Sequence, residues 1–112
     1  MKYKYGQIVA VAAGPCKSKP GPALILQNER FTTGDSVLVV PFTSSANPEI
    51  DTRISIKPSK QNGLDRDCYL EVDKLSAICV EYIAKAIGTL ESTYLEKTAQ
   101  LARELVSNQL SV

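Results

Sequence analysis

Apolar and polar positions follow two rhythms along this chain, a short one through most of its length and a helical one near the end. Gln7–Val11 is apolar and rich in β-branched residues, as suits a buried strand. Ala23–Leu26 predicts a second strand, ending in the polar run Gln27-Asn28-Glu29-Arg30. Ser36–Val40 predicts a third that stops at Pro41. Arg53-Ile54-Ser55-Ile56-Lys57 alternates polar with apolar, so one of its faces should be wet. Tyr69–Val72 and Leu75–Ile78 read as further short strands around Asp73-Lys74, and Ala84–Ile87 as a last one ended by Gly88.

From Ser92 the period changes. Leu95, Thr98, Ala99, Ala102, Leu105, Val106 and Gln109 share one helical stripe, which predicts a helix over Ser92–Asn108. Glu91 or Ser92 is placed to cap it, and Glu91 and Glu96 favour the positive end of its dipole. The helix is expected to cover one face of the sheet. Gly14-Pro15-Cys16-Lys17-Ser18-Lys19-Pro20-Gly21-Pro22 excludes regular structure, because three prolines remove donors and two glycines break the period. Five to seven short strands and one terminal helix predict a single α+β domain over 1–112, its sheet strongly curved or closed into a small barrel.

Composition narrows the chemistry more than the fold. Among 112 residues there is no histidine. That removes an imidazole base, any serine or cysteine triad built on histidine, and most zinc sites. The cysteines, Cys16, Cys68 and Cys79, are odd in number and lack metal-like spacing, which suits thiols in a reducing compartment. A nucleophilic Cys16 beside Lys17 is the alternative, though it has no histidine to serve as its base. The longest apolar run, Ile8–Ala13, is shorter than a signal-peptide core and far short of a membrane span, so a cytoplasmic protein is expected.

Charge is uneven. Residues 1–66 hold nine Lys or Arg against five Asp or Glu, a balance of +4, while residues 67–112 hold four against seven, a balance of −3. The basic half either binds a polyanion or merely solvates loop tips. Polar groups concentrate in three loops, 14–22, 27–35 and 43–53.

Five strings then stand in order: Gly6-Gln7-Ile8-Val9, Pro22-Ala23-Leu24-Ile25-Leu26-Gln27-Asn28, Val39-Val40-Pro41-Phe42-Thr43-Ser44, Gly63-Leu64-Asp65 leading to Val72-Asp73-Lys74, and Ile87-Gly88-Thr89-Leu90. In this order and spacing the chain resembles the MazF/PemK (Kid-like) toxins of bacterial type II toxin–antitoxin systems, from Gly6 to about Leu105. The resemblance implies an SH3-like (CcdB/PemK-type) antiparallel β-barrel with a C-terminal α-helix. It also implies a homodimer that cleaves single-stranded RNA at selected sequences without a metal or other cofactor, and a cognate antitoxin that masks the RNA site.

Metal-free RNA cleavage needs a group to take the 2′-hydroxyl proton, a group to protonate the leaving 5′-oxygen, and positive charge beside the phosphate oxygens. In the family an arginine just before the Pro-Ala strand and a threonine or serine after the third strand carry this work. Thr43 matches the second position, with Ser44 beside it; read without the resemblance, Thr43 only ends a strand. The first position holds Gly21, within Lys19-Pro20-Gly21-Pro22-Ala23, so the resemblance implies activity weakened or lost there. Lys19 and then Lys17 are the nearest substitutes, but a lysine is a point charge and lacks the arginine fork.

Asp73 sits on the family's acidic position, where it orients the site, reads a base edge, or simply pairs Lys74 in a turn. Glu71 stands where relatives carry a basic residue, so no base role transfers to it. Gln27, Asn28 and Arg30 either contact unpaired bases or solvate their loop. Two readings compete with the nuclease: a CcdB-like toxin that binds gyrase without catalysis, and a catalytically dead toxin that titrates antitoxin. Leu110 and Val112 give slight support to a dimer.

Overall fold

Strand β1 (Gln7–Val11) buries Ile8 on one side and Val9 and Val11 on the other. Its neighbour β2 (Gly21–Ile25) does the same with Leu24 against Ala23 and Ile25, and β3 (Ser36–Thr43) with Val40 and Phe42 against Val37 and Val39. Strands buried on both faces read as continuous apolar runs, which is why these three carried the strongest sequence signal. These positions come from a computed structural model that describes residues 2–12, 21–31 and 34–108.

The remaining elements are β4 (Arg53–Ile56), β5 (Cys68–Glu71), β6 (Ser76–Cys79), β7 (Ile83–Thr89) and α1 (Ser92–Leu105), with 3-10 turns at Val72–Lys74 and Val80–Tyr82. The strands form an antiparallel sheet in the order β4-β5-β3-β2-β1-β7, and β6 joins it at β3. Among the described residues no ladder joins β4 to β7. The architecture is α+β, an antiparallel sheet with one C-terminal helix, as the rhythms predicted.

Two apolar clusters fill the two sides. Ile8, Leu24, Val40, Phe42, Ile56 and Leu70 meet Leu90 and Ala102 beneath the helix. Val9, Val11, Ala23, Ile25, Val37, Val39 and Ile83 form the second cluster, flanked by Tyr3, Ile78 and Tyr82. Burying about 17 apolar side chains in this way supplies most of the driving force for folding.

Several boundaries differ from the sequence expectation. Strand β2 begins at Gly21, inside the segment expected to exclude regular structure, with Gly21 and Pro22 paired to Val11 and Ala10, and β3 runs through Pro41 to Thr43. Along one edge β3 pairs β6 over Ser36–Val39 and β5 over Phe42–Thr43, so Pro41 sits where the partner changes and its missing N–H breaks no ladder. Strand β7 runs through Gly88 to Thr89. A Cβ on Gly88 would lie 2.5 Å from the Asn62 carbonyl, so this glycine admits the 61–62 backbone rather than ending a strand. The Thr89 N–H donates to the Gln61 carbonyl there at 2.9 Å.

The helix stops at Leu105, short of Asn108. Its inward stripe is Thr98 and Ala102, whereas Leu105 and Val106 are 43% and 79% exposed. Glu91 occupies the N-cap position, but its side chain does not cap. Its carboxylate accepts instead from Ser59 Oγ at 2.6 Å and Asn62 Nδ2 at 3.1 Å. That network pins the 57–64 loop to the start of the helix. Gln109, Leu110 and Val112 lie outside the described residues.

Candidate functional site

At the end of β3 the sheet changes from apolar to polar on one face. Thr43 pairs Tyr69 of β5, and Tyr69 pairs Ser55 of β4. Two positions along, Glu71 pairs Arg53. Directly opposed residues and their i+2 neighbours share a sheet face, so Thr43, Tyr69, Ser55, Glu71 and Arg53 stand together. The intervening Phe42, Leu70 and Ile54 turn to the core.

Hydrogen bonds order this face. The Ser45 N–H donates to Thr43 Oγ1 at 3.2 Å, a short turn that occupies one lone pair of the hydroxyl. Arg53 Nη1 donates to the Ser45 carbonyl at 2.9 Å, and its Nη2 contacts Glu71 Oε2 at 3.2 Å. Lys74 Nζ reaches the same oxygen at 3.1 Å. The Arg53 and Glu71 side chains keep only 15% and 11% of their exposure, so salt screens this pair less than a surface pair. Two cations share one carboxylate, so these three side chains together carry a net positive charge.

The β2–β3 register is Ala23↔Pro41, Leu24↔Val40 and Ile25↔Val39. That ladder ends at Ala23↔Pro41, and Gly21, the first residue of β2, and Thr43, the last of β3, each lie two positions beyond it. Among the described residues a Cβ on Gly21 meets nothing within 4 Å. The fold among the described residues therefore leaves room for a side chain at position 21.

A family model for PemK-like, MazF-like toxins of type II toxin–antitoxin systems matches residues 4–106. The chain belongs to the PemK/MazF toxin family. It is similar to a protein named "Probable endoribonuclease MazF" from Mycolicibacterium smegmatis, with 36% identity over 89 residues, 80% of this chain and 82% of that one. Its fold is similar to that of an endoribonuclease in complex with its cognate antitoxin from Mycobacterial species. There the TM-score is 0.77 at 18% identity, covering 97% of this chain and 99% of the other. The Mycobacterium tuberculosis toxin MazF-mt6 aligns with a TM-score of 0.67 at 23% identity, over 89% of this chain and 97% of that one.

In this PemK/MazF toxin the residues singled out from sequence do not all meet. Thr43 is half-buried, and Ser44 is exposed beside it. Gln27, Asn28 and Arg30 lie at the opposite end of β3, whose eight residues put about 23 Å between the two ends. Gln27 turns inward and is only 5% exposed. Its amide donates to the Phe31 carbonyl at 2.9 Å and accepts from the Leu38 N–H at 3.0 Å, so the loop itself uses both of its polar ends. Asn28 Oδ1 accepts from the Arg30 N–H at 2.9 Å, and the Arg30 guanidinium lies 5.2 Å from the Phe31 ring centre. Asp73 is exposed in the turn after β5, and Lys74 pairs Glu71 rather than Asp73. Cys16, Lys17 and Lys19 lie outside the described residues.

Sequence reasoning missed Arg53, Ser45 and Tyr69 as neighbours of Thr43. The one available signal was the alternation of β4, which puts Arg53 and Ser55 on the same wet face.

Proposed function

We propose that this chain is the toxin of a type II toxin–antitoxin pair and a metal-free endoribonuclease acting on single-stranded RNA, with Thr43 at its centre. The observation that carries the reading is Thr43, its hydroxyl held by the Ser45 N–H, on a sheet face that also bears Arg53, whose guanidinium holds the Ser45 carbonyl. The 36% identity to a protein named as a MazF endoribonuclease favours it over a gyrase-binding toxin. One SH3-like barrel, a single domain over residues 1–112 with the cluster beneath the helix as its interior, is the fold we assign to it.

In the reaction the 2′-oxygen attacks phosphorus, the O2′–P bond forms, and the P–O5′ bond breaks to leave a cyclic phosphate and a 5′-hydroxyl. With one lone pair occupied, Thr43 presents its O–H to a non-bridging oxygen as negative charge builds there. Asp73 and Lys74, in the turn beyond β5, together with Ser44, extend this surface toward the strand; Lys17 and Lys19, outside the described residues, stay candidate RNA contacts on the resemblance alone. Arg30 and Asn28 serve nucleotides farther along or a partner. Gly21 leaves the charged partner out, and losing such a group costs roughly 10²–10³ in rate.

A homodimer and an antitoxin complete the proposal, in the cytoplasm where the RNA is. An open, mainly apolar groove of about 670 Å³ lined by Tyr5, Leu26, Leu38, Leu75 and Val106 suits a protein partner. The described residues contain no helix long and apolar enough to cross a membrane.

The test is cleavage of a single-stranded RNA pool by the purified chain, by Gly21→Arg, and by Gly21→Arg with Thr43→Ala. A gain of about 10²–10³ from the arginine, abolished by Thr43→Ala, is expected. No gain from Gly21→Arg sinks the reading.

A further inference from the structure

We infer that Arg53 is a positioning residue for Thr43, acting through the Ser45 peptide and itself held by Glu71. The inference rests on the ribonuclease reading above.

Ser45 offers both ends of its peptide environment to this arrangement. Its N–H holds Thr43 Oγ1 at 3.2 Å, and its carbonyl takes Arg53 Nη1 at 2.9 Å. A loop residue with one hydrogen bond to a neighbour two positions away is free to rock; a second bond to a fixed point is not. Arg53 is such a point. It opens β4 in register with Glu71, bonds that carboxylate at 3.2 Å, and keeps only 15% of its side-chain exposure. The planar guanidinium serves the two acceptors from two separate nitrogens held in one plane, whereas a lysine has a single nitrogen and no such fork. Its second partner matters too: Glu71 is itself buried and shared with Lys74, so the guanidinium cannot swing out to solvent without leaving that carboxylate half-paired.

The consequence is a hydroxyl with a defined direction. With the Ser45 N–H on one lone pair, Thr43 keeps its proton and its other lone pair for the phosphate. Geometry errors of about 1 Å at a reacting group cost on the order of 10²-fold in rate. Arg53 should therefore act on turnover and leave RNA affinity alone, unlike an arginine that grips the backbone of the strand.

The experiment uses the full chain carrying Gly21→Arg, with thermal unfolding checked for every variant. Arg53→Met is expected to lower kcat about 10- to 100-fold with KM within about threefold. Arg53→Lys should fall between Arg53→Met and the parent. Glu71→Gln, which keeps an acceptor for the guanidinium, should recover most of what Glu71→Ala loses. Ser45→Pro removes the N–H without touching the Arg53–Glu71 pair, and combining it with Arg53→Met should cost no more than the worse single change.

A loss confined to KM, with a shallower salt dependence, assigns Arg53 to phosphate binding and overturns the inference. So does full additivity of Ser45→Pro and Arg53→Met. Cleavage by Gly21→Arg that is indifferent to Arg53 overturns this inference alone, whereas no cleavage by Gly21→Arg brings down the ribonuclease reading and this one with it.

Discussion

The side-chain amide of Asn62, fully buried, donates to the Glu91 carboxylate at 3.1 Å. The same amide donates to the Lys57 carbonyl at 2.9 Å, and its Oδ1 accepts from the N–H groups of Ser59 and Leu64 at 3.0 and 3.1 Å. One side chain thus satisfies the polar groups of a whole loop. Replacing it with alanine strands several buried partners, each worth about 1–3 kcal/mol. Asn62→Ala should lose about 3 kcal/mol or more in urea unfolding. A loss under about 1 kcal/mol means that water replaces the amide and the network matters little.

The Glu91 carboxylate carries a pH dependence with a definite sign. Removal from solvent pushes its pKa up, but hydrogen bonds from Ser59, its own backbone N–H and Asn62 outweigh this and hold it below the ordinary 4.5. A carboxyl with a lowered folded pKa adds stability above its unfolded value, and that stability drains as pH falls through the folded one. Unfolding free energy should therefore decline below pH 4.5 more steeply in the parent than in Glu91→Gln. Parallel pH curves for the two proteins count against the assignment.

Gly63 and Gly88 lock the same loop to β7 by shape. Gly63 has φ +70°, and a Cβ there would lie 2.4 Å from the Ile87 carbonyl oxygen; on Gly88 it would lie 2.5 Å from the Asn62 carbonyl. A Cβ on Gly34, at φ +76°, meets nothing within 4 Å among the described residues. Gly34→Ala should cost only the left-handed penalty of about 1–2 kcal/mol. Gly63→Ala adds a backbone clash to that penalty and should cost at least twice as much, and Gly88→Ala should cost about 2–3 kcal/mol from overpacking alone. Equal losses at Gly34 and Gly63 in denaturant melts contradict the packing argument.

Cys68 should be inert in the folded protein. Burial, reinforced by the Asp65 and Asp67 charges, raises its thiol to about 11. At pH 8 only about one molecule in a thousand then carries the reactive thiolate. Thiol-reagent kinetics on a Cys16→Ser, Cys79→Ser protein should show labelling only at the rate of unfolding. Rapid labelling without denaturant excludes this environment.

Legibility from sequence followed the range of each interaction. The double-sided burial of Val9, Leu24 and Val40 appears as continuous apolar runs, so β1 to β3 were visible, and the change to a 3.6 period marked the helix start at Ser92. Pro41 misled because a proline's cost depends on what lies beside it, and here β3 changes partners at that point. Gly88 misled for the same reason: its value lies in the approach of residues 61 and 62, which no local pattern announces. Sequence leaves open how far Gln27, Asn28 and Arg30 stand from Thr43, and the length of β3 sets them at its other end.

Residue order alone determined the kinds of element, the absence of histidine, the family strings, and a glycine at position 21, where the resemblance implies an arginine. Those are properties of neighbours along the chain or of single positions. Only the tertiary structure decided which polar groups meet: Ser45 with Thr43 and Arg53, Arg53 with Glu71, Asn62 with Glu91. Contacts between residues 18 or 29 positions apart depend on strand register, which the burial of both sheet faces sets collectively.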